Sequence, residues 1–212
     1  LDGLFAGNER LVEGAEIALV MPTEGGGEKI VTTALTAPNG AYQFDQLAPG
    51  SYFLTASLPK GLVFAPYNEA GSVMLPAAGR SSKSLPFTLE GGVAEKNIGA
   101  TNKSVYIGVV AFGDENMNGG RFSSEPLIRD VLVEVLFDAG GQTHVIGSAS
   151  TDKEGQARIS DLTPGTYRIA ATMPEPYIIG PLGAKVSAFY NTVNPSESNR
   201  GESNPFTVSG SI

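Results

Sequence analysis

Two stretches of this chain, 115 residues apart, carry the same punctuation, and no other feature limits the fold as strongly. Asn39-Gly-Ala-Tyr-Gln-Phe-Asp-Gln-Leu-Ala-Pro-Gly-Ser-Tyr52 matches Glu154-Gly-Gln-Ala-Arg-Ile-Ser-Asp-Leu-Thr-Pro-Gly-Thr-Tyr167. Gly40 falls on Gly155, Leu47 on Leu162, Pro49-Gly50 on Pro164-Gly165 and Tyr52 on Tyr167. The match continues upstream, with residues 12–19 on 128–135 at an offset of 116. It continues downstream, with Pro86-Phe87-Thr88 on Pro205-Phe206-Thr207 at an offset of 119. A repeat of about 100 residues is long enough for each copy to bury its own core. The expected organisation is therefore two homologous modules, residues 1–101 and 102–212, joined near 99–104.

The turn residues set the class of each module. The 27 Gly and 14 Pro are spread so evenly that few uninterrupted segments exceed ten residues. Inside a helix each would cost about 1 kcal/mol (Gly) or 3 kcal/mol (Pro), so long helices are disfavoured. What remains are β-branched and aromatic runs at 29–36, 51–57, 105–112, 156–159 and 166–172, the pattern of a β-sandwich or barrel. Residues 127–139 are ambiguous: Leu127, Ile128, Val131, Leu132, Val135 and Leu136 have helical spacing, yet Val131, Val133, Val135 and Phe137 also alternate with Asp130, Glu134 and Asp138. The first copy carries Gly14 here and alternates Ala15, Ile17 and Leu19, so both copies are expected to be strands. The fold class is all-β, two tandem antiparallel β-sandwich modules.

Composition narrows the function. The chain has no Cys, which excludes disulfides, thiol catalysis and Cys-ligated metals. A net charge of −8 argues against nucleic acid and anionic lipid as partners. No apolar run approaches the roughly 18 residues of a membrane span, so no membrane insertion of this segment is expected. Nucleophile-elbow, zinc-protease, dinucleotide and P-loop motifs are all missing, and no acid/base couple stands out. His144, the single imidazole, reads as an exposed strand residue. Tyr52 and Tyr167, each following a Pro-Gly turn, read as core or corner residues. The reading is non-enzymatic.

The informative difference between the copies is an insertion. Gly3 and Gly108 open corresponding strands but lie only 105 apart, so the second module carries 11 extra residues within 112–126. There stands Asp114-Glu-Asn116-Met-Asn118-Gly119-Gly120-Arg-Phe-Ser-Ser-Glu125, which fits the twelve-position calcium loop D-x-[DN]-x-[DN]-G-x5-E. Calcium takes six to eight oxygen ligands at flexible angles. Asp114, Asn116 and Asn118 supply side-chain oxygens, Gly119 the sharp turn, Gly120 its carbonyl, and Glu125 a closing carboxylate. Two carboxylates and a Phe122 at the ninth position, which has no side-chain oxygen, predict the weak affinity of extracellular calcium modules. The flanking segments are β, so the expected role is to staple a module end. The first module shortens this loop to residues 6–10 and is expected to lack the site.

The order of these pieces — first strand, D-x-N-x-N-G loop closed by Glu, G-x-x-V-x-L strand, then G-x-Y-x-F-x-x-L-x-P-G-x-Y — resembles the B-type repeats of serine-aspartate-repeat surface adhesins of Gram-positive bacteria. The second half is shared with collagen-adhesin B-type and transthyretin-like modules. The resemblance covers both copies and is most specific at 39–52, 154–167 and 114–125. It implies Ig-like or prealbumin-like sandwiches strung as an extracellular stalk at the bacterial cell surface or cell wall. The expected cofactor is calcium, and the expected partners are neighbouring modules of the same polypeptide, with host protein or glycan as further candidates. Collagen-adhesin relatives often carry a Lys–Asn isopeptide bond assisted by a Glu. Residues 52–56 and 167–171 contain no carboxylate and the first strands no Lys, so none is expected here.

Two alternatives remain open at this level. One is a carbohydrate- or host-protein-binding module using the long loops 59–84 and 173–203, where Tyr67, Tyr177, Phe189 and Tyr190 could meet sugars. The other is an accessory domain of a secreted enzyme. A last expectation follows from the repeat: residue 212 aligns with 93, so counterparts of residues 94–100 fall outside the sequence. The second sandwich is thus expected to be cut from a longer array and to show an open edge.

Overall fold

The computed structural model describes residues 3–4, 9–91, 94–182, 192–194 and 198–209. The chain divides into two compact units, one of Leu1–Ser104 with Asp161–Pro164, the other of Val105–Ser160 with Gly165–Ile212. Among the described residues there is no helix.

The first unit contains β1 (Glu16–Pro22), β2 (Glu28–Leu35), β3 (Gly50–Ser57), β4 (Val63–Phe64), β5 (Ser81–Lys83), β6 (Phe87–Leu89) and β7 (Ala100–Thr101). Its main sheet runs β2-β1-β3-β5, with β6 also paired to β3. β4 and β7 form a separate antiparallel ladder. The period of two along a strand sends Ala15, Ile17 and Leu19 to one face, where they meet Tyr52, Leu54 and Ala56 of β3. Phe64, Met74, Ile98 and Ala100 close this core from the other side. The opposite face of β1 and β3 holds a second buried cluster of Ala18, Val20 and Phe53.

The second unit repeats the plan with β8 (Val105–Val110), β9 (Leu132–Ala139), β10 (Gln142–Ser150), β11 (Gln156–Leu162), β12 (Gly165–Thr172), β13 (Arg200–Glu202) and β14 (Phe206–Val208). Its sheet runs β10-β9-β12-β13, β14 pairs β12, and β11 pairs β8. The ambiguous segment is a strand: Val131, Val133 and Val135 are buried, whereas Asp138 is exposed. Where the first unit has its second apolar cluster, this face carries ions instead. The registers place Glu134 at the position of Ala18 and Arg168 at that of Phe53. Arg168 pairs with Asp138 at 2.8 Å and also with Glu202, while Arg200 pairs with Glu134. The Arg168 guanidinium, by hydrogen bonding to Asp138, holds that carboxyl below its ordinary range.

The repeat extends to backbone strain. Gly14 and Asp130 both have positive φ (77° and 62°), as do Gln46 and Asp161 (57° and 59°). Tyr52 and Tyr167 are buried core residues, and the Tyr52 hydroxyl donates to the Ala48 carbonyl at 2.7 Å. Burial pushes the Tyr167 phenol up to about 12. One departure from the repeat and two from expectation are found. Residues 41–47 of the first unit form no strand, although their counterparts form β11; Tyr42 and Phe44 pack edge to face, 5.6 Å apart, against the core. His144 is half-buried, because its ring turns back to the Ala139 carbonyl at 3.2 Å. The loop 59–84 is not a free loop, since it holds β4 and β5 and buries Met74 and Leu75. The first strand expected at 3–6, the short loop 6–10, and Phe189 and Tyr190 lie wholly or partly outside the described residues.

One buried threonine hydroxyl anchors the entry to each sheet. Thr151 accepts from the Val131 N–H at 3.0 Å and donates to the Ile128 carbonyl at 2.8 Å. Its counterpart Thr36 accepts from the Ala15 N–H at 2.9 Å. Thr151→Val keeps the shape but strands two buried backbone groups, so it should cost about 2 kcal/mol, and Thr36→Val about half that. Thermal denaturation of both variants checks the ratio; equal losses would contradict this accounting.

Candidate metal centre

The loop of residues 113–126 is closed at its base by backbone pairing. Phe112 and Leu127 form an antiparallel bridge, and the Gly113 N–H donates to the Pro126 carbonyl at 2.8 Å. Buried Ile128 and Val131 anchor the outgoing chain. Gly155 lies against this base: its φ is +65°, and a Cβ there would sit 2.6 Å from the Ala111 carbonyl oxygen. Ala111 and Gly155 are themselves joined, Ala111 N–H to the Gly155 carbonyl, at 2.8 Å.

Within the loop the side-chain oxygens turn inward onto the backbone. Asp114 accepts from the N–H groups of Asn118 (3.1 Å) and Gly119 (2.7 Å). Asn116 Oδ1 also accepts from the Asn118 N–H at 3.1 Å, and Asn118 Oδ1 accepts from the Gly120 N–H at 2.7 Å. Positive φ at Met117 (57°) and Gly119 (71°) produces the winding that makes these bonds reachable. The last residue closes on the third: Asn116 Nδ2 donates to Glu125 Oε1 at 3.1 Å, and the Phe122 N–H donates to Glu125 Oε2 at 2.8 Å.

Four of the five expected ligands are therefore gathered by hydrogen bonds among themselves and the loop backbone. The fifth, Gly120, is buried beside them. Two further observations bear on a cation. Glu125 is 6% exposed, and among the described residues neither it nor Asp114 has a cationic side chain in ion-pair range. A buried carboxylate without a cation is costly, because hydrogen bonds to neutral donors replace only part of its hydration. The donor set is all oxygen, which suits a hard divalent cation rather than zinc or copper. Among the described residues no three His, Cys, Asp or Glu are grouped so as to hold a metal ion, so carboxamides must supply part of any shell here.

The sequence motif contained the loop's expected ligands but not Gly155, which supports the loop from 30 residues downstream of Glu125. Its signal was present in the repeat, since Gly40 occupies the same place in the first copy, with φ +70°. Gly180 was also missed; its Cβ position is 3.8 Å from Asp114 Oδ2, so residues around it flank the loop.

Two antiparallel sandwich modules of one design, one of them bearing an oxygen-lined loop at a strand end, define a class of repeated β-module. The chain belongs to the SdrD B-like domain family, whose model matches residues 1–100 and again residues 105–202. It is 30% identical over 168 residues to Colossin-A of Dictyostelium discoideum, an alignment covering 78% of this chain and 1% of that protein. Serine-aspartate repeat-containing protein D of Staphylococcus aureus (strain MW2) is 26% identical over 147 residues, covering 69% of this chain and 11% of the relative. Protein E of the same series, from Staphylococcus aureus (strain Mu50 / ATCC 700699), is 27% identical over 177 residues, covering 82% and 14%. The chain thus spans a small part of each of these relatives. No helix among the described residues is long and apolar enough to cross a membrane.

Proposed function

We propose that this chain is a non-enzymatic pair of structural modules in the stalk of an extracellular, cell-surface protein of the adhesin type, with the second module braced by calcium. The carrying observation is Glu125: a buried carboxylate, closed across the loop onto Asn116, with no cationic partner among the described residues. Asp114, Asn116, Asn118 and Glu125 would hold the ion with the Gly120 carbonyl, and calcium would supply the positive charge that Glu125 lacks. The remaining work belongs to the chain itself. The Phe112–Leu127 bridge and the Gly155 contact tie the loop to the sheet, so that fixing the loop fixes the module end. Family membership in both halves supports the repeated-module reading.

The ligand-binding alternative loses ground at loop 59–84, whose apolar side chains Met74 and Leu75 fill the core rather than face solvent. Pulling single molecules by their termini tests the function directly. Two unfolding events are expected, and only one should strengthen with calcium. Two events indifferent to calcium would reject the brace. A saturable glycan or host-protein ligand on array and pull-down screens would move the assignment to the binding-module reading.

A further inference from the structure

The chain contains two Asn-Gly pairs, Asn39-Gly40 and Asn118-Gly119. In such a pair the glycine amide nitrogen can attack the preceding side-chain carboxamide, because no Cβ hinders it and the backbone tethers the two groups. Both asparagines make the same local turn. Asn39 Oδ1 accepts from the Ala41 N–H at 3.1 Å, and Asn118 Oδ1 accepts from the Gly120 N–H at 2.7 Å. Each bond lies on the oxygen that takes up negative charge when the carboxamide is attacked.

The pairs differ at the nucleophile. The Gly40 N–H donates to the Ala37 carbonyl at 2.8 Å, and a carbonyl is no base. The Gly119 N–H donates to Asp114 Oδ2 at 2.7 Å, and a carboxylate is one. Asn118 is exposed, and among the described residues its Nδ2, the atom that leaves, holds no hydrogen bond. Proton acceptor, nucleophile, electrophile and oxyanion donor therefore stand together within residues 114–120.

We propose that Asn118 is a self-modification site, converted to Asp through attack by the Gly119 nitrogen with Asp114 as proton acceptor. The nitrogen bonds to Asn118 Cγ as the Cγ–Nδ2 bond breaks. The Gly119 proton passes through Asp114 to the leaving group, which departs as ammonia. Water then adds at Cγ, where the Gly120 N–H still polarises the oxygen. The new Cγ–N bond opens, leaving an aspartate and the original backbone. One water is consumed and one ammonia released, with no change of oxidation state. The product still fits the D-x-[DN]-x-[DN]-G pattern, now with a third carboxylate. The consequence rests on the calcium reading of this loop: more ligand charge gives tighter binding, so the module end is braced more firmly as the protein ages.

The test holds the native 212-residue chain in EDTA at neutral pH and follows both asparagines by peptide mapping, with fragmentation that separates aspartate from isoaspartate. Asn118 should convert about tenfold faster than Asn39 in the folded chain, and at the same rate as Asn39 in urea. Asp114→Asn, which keeps an acceptor oxygen for the same N–H groups, should bring Asn118 down to the Asn39 rate. Equal or slower conversion of Asn118 in the folded native chain would overturn the proposal, as would isoaspartate as its main product. Melting in graded calcium reads the consequence. Asn118→Asp should reach its half-maximal shift at about tenfold lower calcium than the native chain, and an unchanged half-maximal concentration would overturn the gain in affinity. No calcium response in either chain would reject the calcium brace, while conversion at Asn118 would still uphold the self-modification.

Discussion

Gly155→Ala should lower the stability of the second unit by about 4 kcal/mol. Two costs combine. An alanine at φ +65° pays roughly 1–2 kcal/mol for the left-handed backbone. Its Cβ would also stand 2.6 Å from the Ala111 carbonyl oxygen and 3.0 Å from the Leu127 Cβ. Neither neighbour is the free end of a flexible side chain, so backbone must move, and such overpacking costs about 1–3 kcal/mol. At about 4–8 °C per kcal/mol for a domain of this size, the melting temperature should fall by roughly 15–30 °C. Gly141→Ala separates the terms, because its φ is +72° but nothing lies within 4 Å of its Cβ position. That variant should lose only the backbone part. Equal losses at the two sites would show that the Ala111 contact relaxes without cost. Because Ala111 leads into the loop base, Gly155→Ala should also weaken any response to calcium, which Gly141→Ala should leave intact.

How far the sequence carried can be judged strand by strand. Runs 51–57 and 166–172 are β3 and β12 almost to the residue, because each starts at a Pro-Gly turn and alternates under one buried face. The ambiguous segment resolved as β9 because the repeat supplied a second sequence for the same structure. Alternation fails where burial is decided by what lies across the sheet. β2 reads as a strand, yet Ile30 and Leu35 are 63% and 67% exposed, since it lies at the edge of its sheet. Equivalent positions Phe53 and Arg168 are served by an apolar cluster in one unit and an ion network in the other, and no local pattern predicts which. The site shows the same division. The spacing of Asp114, Asn116, Asn118 and Glu125 is local and was legible. The closure of Glu125 on Asn116 and the seat of the loop against Gly155 depend on tertiary structure, and were not.

Glu125→Gln should reverse its sign with calcium. In EDTA the native chain carries a buried carboxylate that has only neutral donors, the Phe122 N–H and the Asn116 amide. Glutamine keeps the shape and one oxygen while removing that charge, and Asn116 can turn its own carboxamide to accept from the new NH2. The variant should therefore be as stable as the native chain without metal, or more stable by about 1 kcal/mol. With calcium the order inverts. A site of the weak extracellular class, Kd about 0.1–1 mM, gains roughly 1.4–2.7 kcal/mol at 10 mM calcium by mass action. That is a rise of roughly 6–20 °C in the melting temperature of the second unit. Glutamine offers one neutral oxygen where glutamate offers two charged ones, so the variant should lose nearly all of that gain. Paired melting curves of the two chains in 10 mM calcium and in EDTA give four midpoints, and the crossing of the two pairs is the signature of a metal held by Glu125. Magnesium at the same concentration should do much less, because it demands a smaller, rigid octahedron and gives up its water reluctantly. If the native chain melts at one temperature in calcium and EDTA, the loop is an Asn- and Gly-rich turn that satisfies its own oxygens, and the stiffness of this module owes nothing to metal.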